Sequence, residues 1–393
     1  MNSHPFCSPI HNDIKSRNIY FYLHLITLTI GLFTWFPFRF ALVVIGAILH
    51  NVPYFILSKI YKIDTKNVDI NKIQERPILP YWLKIIMVYW SQFSFRIYLY
   101  GMGIFWIKMK GKKNLTSKRP NITVVAPHTS MIDFGHVYAE QRPFYALVHK
   151  DQIKTPLFST SGILYEVLWV DPEDAVNRKK VVESLKFRSV AKNWENYNCH
   201  FMGEGTTHNG KYLLEMKPGP FLPGLPVQPI CIKMPEWITV VLYPNKKFSD
   251  RGSGWLSWCY GVSMVFNLCY SMLVPWQPCE VEILPVYYPS EDEKNDVKLW
   301  CRNFTKFFAD EAGLVYLDCN KIDQLLYSYI IKKHKNLNPD KFILYSAALE
   351  RKYGRKLVTK ENVCRILEDY LSNPENDSIK FHEFADTWFS KLL

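Results

Sequence analysis

The residues best suited to chemistry lie in the stretch from Asn121 to Phe134, where His128 precedes the carboxylate of Asp133 by five positions. A β-branched run, 122–126, predicts a strand that Pro127 ends, after which we expect a helix to begin. In one ideal helix, five residues turn through about 500°, which leaves the two side chains roughly 140° apart. They can therefore meet only if His128 lies in the turn before the helix. A histidine oriented by a carboxylate is a general base that works near neutral pH.

The same stretch has a purely structural interpretation. Ser130 and Asp133 are spaced as in a variant of the N-terminal capping box, in which the acidic side chain accepts helix amides. Taken alone, this stretch favours the structural role over catalysis, because a single motif match carries a substantial false-positive risk. The decision depends on the rest of the chain.

A second polar stretch, Glu204-Gly205-Thr206, follows a short apolar run. Its backbone amides, hydroxyl and carboxylate could hold a phosphate or a polyol. Lys217 lies shortly afterwards and could supply a cation to a phosphate. Each feature alone is more often a turn or a solvated charge.

These stretches belong to a region of alternating strands and helices. Helix 172–196 lies between strand-like runs on both sides. Strands alternating with helices predict an α/β domain whose site lies at the strand ends. The strand-like runs are 122–126, 144–148, 164–170, 227–232, 237–242 and 281–287.

The N-terminal part predicts membrane attachment. Residues 18–38 and 40–58 contain no Asp, Glu, Lys or Arg, and only Arg39 separates them. Each run approaches the ~20 residues that cross a bilayer, and basic residues on both outer flanks fit a hairpin with both ends on the cytosolic side. A buried helical pair of a soluble protein is the alternative. Residues 79–107 fit helices that lie on the membrane or a packed core pair.

The segment 252–278 is also apolar and aromatic, with Arg251 just before it. Because the strands at 237–242 and 281–287 should share one sheet, both ends of the segment should lie on one side. An interfacial or re-entrant segment is therefore favoured over a single crossing.

Composition limits the partners. The net charge of +12 suggests an anionic partner, such as a membrane surface or a phosphorylated cofactor. No nucleic-acid partner is expected, because no recognisable binding motif accompanies the basic residues. The nine cysteines show no metal-ligand spacing, so we expect reduced thiols, a cytosol-facing domain and no metal site.

Taken in order, the motifs resemble those of the glycerophospholipid acyltransferase superfamily. The resemblance covers about 80–310 and includes the His-x4-Asp motif at 128–133, the Glu-Gly-Thr motif at 204–206 and a proline motif at 226–229. The stretches 217–229 and 284–293 look most like those of lysophosphatidylcholine acyltransferases. The chain departs from the family pattern at Gly203, where proline is usual, and at Asp171-Pro172, where an arginine is usual.

The resemblance implies a membrane-bound, acyl-CoA-dependent lysophospholipid O-acyltransferase with His128 and Asp133 as catalytic residues. Lysophosphatidylcholine is the expected acceptor, and the alternatives are acylation of lysophosphatidate or glycerol 3-phosphate, or a non-catalytic membrane adaptor with a decayed acyltransferase fold. Acyl-CoA is a co-substrate, and no tightly bound cofactor is expected. The implied location is the endoplasmic reticulum membrane, with Golgi and lipid droplet as alternatives. The implied substrate-binding residues are Glu204, Gly205, Thr206, Lys150, Arg178 and Lys217.

The expected fold class is α/β: a mixed sheet flanked by helices, glycerol-3-phosphate acyltransferase-like, with N-terminal membrane helices and a small helical C-terminal region. The expected domains are a membrane hairpin over 1–75, an acyltransferase domain over 76–315 and a helical region over 316–393. Within the last, 372–383 has the outline of a degenerate EF-hand loop, with Pro374 at the third position and Asp377 where glycine is needed. Tight calcium binding is not expected there. The sequence does not indicate an oligomeric state.

Overall fold

The computed structural model describes residues 4–7, 9–65, 68–115, 120–130, 132–133, 135–154, 159–171, 173–259, 262–334 and 336–392. Within this part of the chain, seven strands form one mixed sheet in the order β1-β8-β7-β2-β5-β3-β4, and β6 pairs with β9 separately. The strands are β1 (Ile107–Lys110), β2 (Ile122–Ala126), β3 (Phe144–His149), β4 (Leu168–Val170), β5 (Asn198–Met202), β6 (Tyr212–Leu214), β7 (Gln228–Lys233), β8 (Cys279–Ile283) and β9 (Val315–Leu317).

Helices cover the sheet and form the two ends of the chain. The α-helices are α1 (Pro9–Ser16), α2 (Ile19–Phe33), α3 (Phe36–Ile60), α4 (Tyr81–Gly101), α5 (Ser159–Leu164), α6 (Ala175–Val190), α7 (Trp237–Leu242), α8 (Phe248–Arg251), α9 (Met264–Leu273), α10 (Glu291–Asn295), α11 (Val297–Ala312), α12 (Lys321–Lys333), α13 (Ser346–Tyr353), α14 (Lys360–Ser372) and α15 (Phe381–Ser390). This arrangement confirms the predicted mixed sheet flanked by helices and the helical C-terminal region.

The central strands run parallel, so their carboxyl ends share one edge of the sheet. β2 pairs in parallel with both β5 and β7, and β3 pairs in parallel with β5 and β4. All five residues of β2 are buried, as expected for a central strand covered on both faces. The loops that follow β2, β5, β3 and β4 therefore lie side by side along this edge.

The strand predicted at 237–242 is wrong, because Trp237–Leu242 is the helix α7. The β-branched residues of this segment favour a strand locally. However, β7 already has β2 on one side and β8 on the other, so the chain leaving β7 passes beyond the edge of the sheet. Without a free neighbouring strand, the local preference is overridden.

The predicted one-sided placement of 252–278 rested on that strand, yet its ends do lie together for another reason. β8 runs antiparallel to its neighbour β7, so the chain leaves the sheet and returns to it at the same edge. The longest helix between them in the described residues is α9, with 10 residues. This is well short of the ~20 that a bilayer crossing requires.

The segment predicted as a membrane hairpin contains α2 and α3, which are separated by Thr34 and Trp35. Among the described residues, α3 is the one helix long and apolar enough to cross a membrane, judged by length and composition alone, whereas α2 has 15 residues. Along α3, buried Arg39, Gly46, His50 and Tyr54 face the rest of the protein. The helix packs antiparallel to α4, where Tyr54 Oη lies 2.5 Å from Ser91 Oγ. The opposite face of α3 leaves large apolar side chains exposed.

The C-terminal helices surround an apolar core of their own, which includes Leu344, Ile366 and Phe389. α14 and α15 flank a 3₁₀ helix over Pro374–Ser378, so the predicted EF-hand-like segment is a helix–loop–helix. A capping box at Ser290 begins α10, and Asp296 caps a second helix, α11.

Candidate active site

His128 follows β2 at the carboxyl edge of the sheet and faces Asp133. Its Nδ1 lies 3.0 Å from Asp133 Oδ2, and the same oxygen accepts the main-chain N–H groups of Thr129, at 2.6 Å, and Ser130, at 2.9 Å. A carboxylate that accepts two amides acts as an acceptor toward the ring, so Nδ1 carries the proton and Nε2 is left as the basic nitrogen. Asp133 is 1 % exposed, whereas the His128 side chain is 22 % exposed.

The turn that holds the pair differs from the predicted helix start. After Asp133 the described chain forms a 3₁₀ helix over Gly135–Ala139, and Met131 and Phe134 lie outside the described residues. The Ser130 hydroxyl donates to Asn267 Oδ1 at 2.9 Å, which ties the turn to α9. Asp133 therefore accepts turn amides, as the structural interpretation required, and also contacts the imidazole.

Glu204 lies at the end of β5, next to the His128 turn. Its Oε2 accepts the main-chain N–H of His128 at 2.8 Å, and its Oε1 accepts the N–H of Leu214 at 2.8 Å and the Nε2–H of His208 at 2.9 Å. The side chain is fully buried. In this arrangement Glu204 fixes the backbone on which His128 is mounted, and its oxygens are occupied by protein donors.

His208 is a site residue that the sequence analysis missed. Its Nδ1 accepts the N–H of Gly210 at 3.2 Å, which assigns the proton to Nε2 and directs it to Glu204. Its own main-chain N–H donates to the His128 carbonyl at 3.1 Å. The only signal in the sequence was a histidine four positions after the glutamate of a suspected site loop.

Two glycines shape the Glu204 loop. A Cβ on Gly203 would lie 2.3 Å from Met216 Sδ and 2.6 Å from Val124 Cγ1, so a larger residue requires both neighbours to shift. Gly205 has a positive φ of 65°, which favours glycine. A proline at position 203 would meet the same two neighbours, so the glycine found there suits the tight packing.

The remaining predicted residues fall into two groups. Thr206 donates its hydroxyl to Gln324 Oε1 of α12 at 2.9 Å, and the Lys217 side chain packs over Gly205. Burial lowers the pKa of the Lys217 ammonium, and the charged groups acting on it include Glu350 of the C-terminal region. The structure therefore brings Thr206 and Lys217 next to the Glu204 loop, on the side of the C-terminal helices.

Lys150 and Arg178 lie farther along the same edge. Lys150 follows β3, which is separated from β2 by β5, so it is displaced from His128 by two strand spacings, or about 10 Å. Its ammonium pairs with the Asp171 carboxylate after β4, and this hydrogen bond raises the pKa of Lys150 and lowers that of Asp171. Arg178 is exposed on the first turns of α6, beyond β4; Pro172 lies outside the described residues.

The N-terminal segment His4–Cys7 reaches the site loop from the other end of the chain. Asn209, next to His208, donates its N–H to the Pro5 carbonyl at 2.9 Å and its side-chain amide to the His4 carbonyl at 3.0 Å. The His4 N–H donates to Asp340 Oδ1 of the C-terminal region at 2.8 Å. The segment thus lies between the loop that carries Glu204 and the C-terminal helices.

Comparison with known proteins agrees with this geometry. Residues 106–233, which contain both His128 and Glu204, match the family model described as "Acyltransferase". The chain is 31 % identical over 218 residues to lysophosphatidylcholine acyltransferase 1 of Danio rerio, covering 55 % of this chain and 38 % of that protein. It is 30 % identical over 233 residues to lysophosphatidylcholine acyltransferase of Drosophila melanogaster, covering 58 % and 40 %. The match thus spans about two fifths of each relative.

The crystal structure of the 1-acyl-sn-glycerophosphate acyltransferase PlsC from Thermotoga maritima aligns with 74 % of this chain and 98 % of that chain, with 16 % identity and a TM-score of 0.31. Residues 106–233 thus match the acyltransferase family model, and slightly more than half of the chain is similar in sequence to lysophosphatidylcholine acyltransferases.

Proposed function

We propose that this protein transfers an acyl group from acyl-CoA to the free hydroxyl of a lysophospholipid, with His128 as the general base. The observation that carries the proposal is the contact of His128 Nδ1 with Asp133 Oδ2 at 3.0 Å, inside a domain of the acyltransferase family. The names of the curated relatives support a lysophospholipid as acceptor, and lysophosphatidylcholine as its expected form.

In the proposed reaction, the unprotonated Nε2 of His128 takes the proton of the acceptor hydroxyl as its oxygen attacks the thioester carbonyl. The tetrahedral intermediate then collapses, the carbon–sulfur bond breaks, and the CoA thiolate recovers the proton from the imidazolium. Asp133 keeps Nδ1 protonated and stabilises the imidazolium while it exists. The acyl group never becomes bonded to the protein.

The basic residues along the sheet edge are proposed to meet the phosphates of CoA. Lys150 and Arg178 lie two or more strands from His128, which suits a phosphate remote from the reacting thioester. Gly205, Thr206 and Lys217 are proposed to line the acceptor side, while the buried Glu204 acts by holding the His128 backbone. These assignments rest on placement in the fold.

The location is proposed to be the endoplasmic reticulum membrane, with the domain facing the cytosol. The exposed apolar faces of α2 and α3 support membrane attachment, and the nine cysteines, all free thiols, are compatible with a reducing compartment. Acyl-CoA is the donor in this proposal, and the protein contributes only side chains and backbone to the chemistry. No metal-binding group of three or more ligands occurs within the residues that the structure describes.

The test is acyl transfer by the purified full chain in lipid nanodiscs, with labelled palmitoyl-, oleoyl- or acetyl-CoA offered to a panel of lysophospholipids and to glycerol 3-phosphate. We expect turnover with lysophosphatidylcholine and loss of turnover in His128→Ala, while membrane association is unchanged. His382, in the C-terminal region, has a side chain that is 38 % exposed and provides the control variant His382→Ala. Faster turnover with lysophosphatidate or glycerol 3-phosphate would identify that compound as the acceptor in place of lysophosphatidylcholine. Equal activity of His128→Ala and the wild type would exclude the proposed base, and absence of turnover with every pair would favour a non-catalytic adaptor.

A further inference from the structure

Two exposed segments from distant parts of the sequence meet beside the start of α2. One runs from Ile14 to Tyr20 and the other from Val241 to Lys247, which begins at the end of α7. They are joined by a hydrogen bond between Tyr20 Oη and Tyr243 Oη at 2.9 Å. Because these segments are more than 200 residues apart in sequence, no local pattern reveals the surface that they form together.

The apolar part of this surface is well exposed. Ile19 is 66 % exposed, Val241 53 % and Leu242 46 %, and Tyr243 lies beside them at 48 %. The exposed side chains of α2, such as Ile26, continue from it. Large apolar side chains beside aromatic ones suit the boundary between headgroups and acyl chains.

Exposed basic residues border the apolar side chains. Lys15 and Arg17 lie within the first segment, and Lys246 and Lys247 end the second. Of the acidic neighbours, Asp13 accepts hydrogen bonds from Asn18 Nδ2 and Trp255 Nε1, and Asp250 is exposed. The basic residues therefore outnumber the acidic ones. We call this surface the basic–apolar patch, made of Ile14, Lys15, Arg17, Ile19, Val241, Leu242, Tyr243, Lys246 and Lys247.

We propose that the basic–apolar patch binds the anionic phospholipid headgroups of the membrane to which the protein is attached. Its apolar side chains enter the headgroup boundary while its four basic side chains meet phosphates, the combination by which proteins select anionic leaflets. The positive charge of the patch complements that lipid surface, and the patch is continuous with the apolar face of α2. This inference rests on the proposed membrane attachment and is independent of acyl transfer.

The patch is connected to the candidate active site by main-chain hydrogen bonds. The segment that begins at α7 continues to Ser253, whose N–H donates to the Asn209 carbonyl at 3.0 Å, and to Trp258, whose N–H donates to the Thr129 carbonyl at 2.7 Å. Thr129 and Asn209 adjoin His128 and His208. Lipid contact at the patch would thus fix the distance between the His128 turn and the headgroup layer of the membrane.

The experiment places a nitroxide spin label on Leu242→Cys in the full chain, reconstituted in nanodiscs of phosphatidylcholine with and without phosphatidylserine. Collision with oxygen reports lipid, and collision with a soluble nickel chelate reports water. Val190→Cys is the matched control, because Val190 is an apolar residue, 79 % exposed, at the far end of α6. The unsubstituted chain supplies the background from the half-buried Cys269 and Cys364.

We expect the Leu242 label to enter lipid in phosphatidylserine discs and the Val190 label to remain in water. Since one basic residue near an anionic leaflet contributes on the order of a fivefold gain in binding, Lys246→Ala/Lys247→Ala should lower the ratio of lipid-inserted to water-exposed label by about 25-fold. The control pair, Lys356→Ala/Lys360→Ala, removes two exposed charges from the C-terminal region and should leave the ratio unchanged.

Three results would overturn the proposal. In the first, the Leu242 label stays as water-accessible as the Val190 label in both kinds of disc. In the second, the Leu242 label inserts equally in the two kinds of disc and in the double variant, so that the apolar contact needs no anionic lipid. In the third, the label is shielded from both reagents in detergent as well as in discs, as a protein partner or a second copy would shield it. Since none of these readouts uses turnover, failure of acyl transfer would not change them.

Discussion

The Glu204 carboxylate accepts the main-chain N–H of His128, with 2.8 Å between Oε2 and N. The two residues are 76 positions apart in sequence and meet because β2 and β5 are parallel neighbours. The motif glutamate thus determines where the proposed base stands, which is a different role from direct contact with the acceptor.

We predict that Glu204→Gln lowers kcat about 10- to 100-fold with little change in KM. An amide group in place of the carboxylate turns an N–H toward one of three protein donors, and a buried donor without an acceptor costs about 1–3 kcal/mol. The matched control is Glu293→Gln, because Glu293 is also buried and accepts from Tyr287 Oη, Asn303 Nδ2 and the Ser290 N–H, far from the site. Steady-state kinetics and thermal unfolding of both variants separate an effect on catalysis from an effect on stability. Equal kinetic effects in the two variants would contradict this role of Glu204.

Asp133→Asn should slow acyl transfer by roughly 10²- to 10⁴-fold, the range that a positioned general base contributes, because the imidazole loses the carboxylate that orients it. The amide oxygen can still accept the N–H groups of Thr129 and Ser130, so we expect the fold to persist. As a control, Asp174→Asn changes a carboxylate that caps α6, where asparagine caps equally well. Unchanged turnover in Asp133→Asn would show that the imidazole works without a carboxylate.

A buried histidine behind the site should make stability fall in acid. His136 Nδ1 donates to the Asp133 carbonyl at 3.0 Å, and burial lowers the pKa of His136 from 6.5 to about 3. Between these values the unfolded chain binds a proton that the folded chain does not. His136 therefore does not lower the free energy of unfolding above pH 6.5. Below pH 6.5, this free energy falls by about 1.4 kcal/mol per pH unit.

Acid unfolding in detergent micelles, followed by circular dichroism, tests this expectation. In His136→Gln the unfolding midpoint should move to lower pH, although the variant loses about 1 kcal/mol at pH 7 with its hydrogen bond. His382→Gln, at a half-buried position in the C-terminal region, should leave the midpoint unchanged. A shift of the His136→Gln midpoint to higher pH would contradict the assigned direction.

Calcium should neither bind tightly to the C-terminal region nor stabilise it. Between α14 and α15 the chain forms a 3₁₀ helix over Pro374–Ser378, and the Asn376 side-chain amide donates to the Tyr370 carbonyl at 3.1 Å. Between α12 and α13, the Asp340 carboxylate accepts the His4 N–H. We expect no calorimetric signal with calcium at micromolar concentrations and no change of Tm on adding EDTA. A rise in Tm with calcium would refute this prediction.

The sequence predicted the turn at His128 and the polar loop at Glu204, because a strand, its terminating proline and the motif spacing are all local features. It did not reveal the lateral order of the strands. β5 inserts between β2 and β3, and this brings Glu204 to His128 while displacing Lys150 by a strand. Lateral order depends on how the whole sheet packs.

Tertiary contacts also explain the other differences. The segment 237–242, predicted as a strand, forms α7 because both sides of β7 are already occupied, by β2 and by β8. His208 gave little signal, because its importance comes from contacts to Glu204 and to the His128 carbonyl rather than from any spacing. The N-terminal segment His4–Cys7 gave none, since its partners lie at Asn209 and Asp340.

The position of the His4–Cys7 segment sets an order of assembly. During synthesis this segment leaves the ribosome before any of its binding partners exist, and Asp340 is made 336 residues after His4. At about 5–20 residues per second, that interval lasts on the order of 20–70 s. By then α1, α2 and α3, which directly follow the segment, have been made. Residues 4–7 therefore reach their final position only after Asn209 and Asp340 have been made, and their contacts with Asn209 then support the loop that carries Glu204.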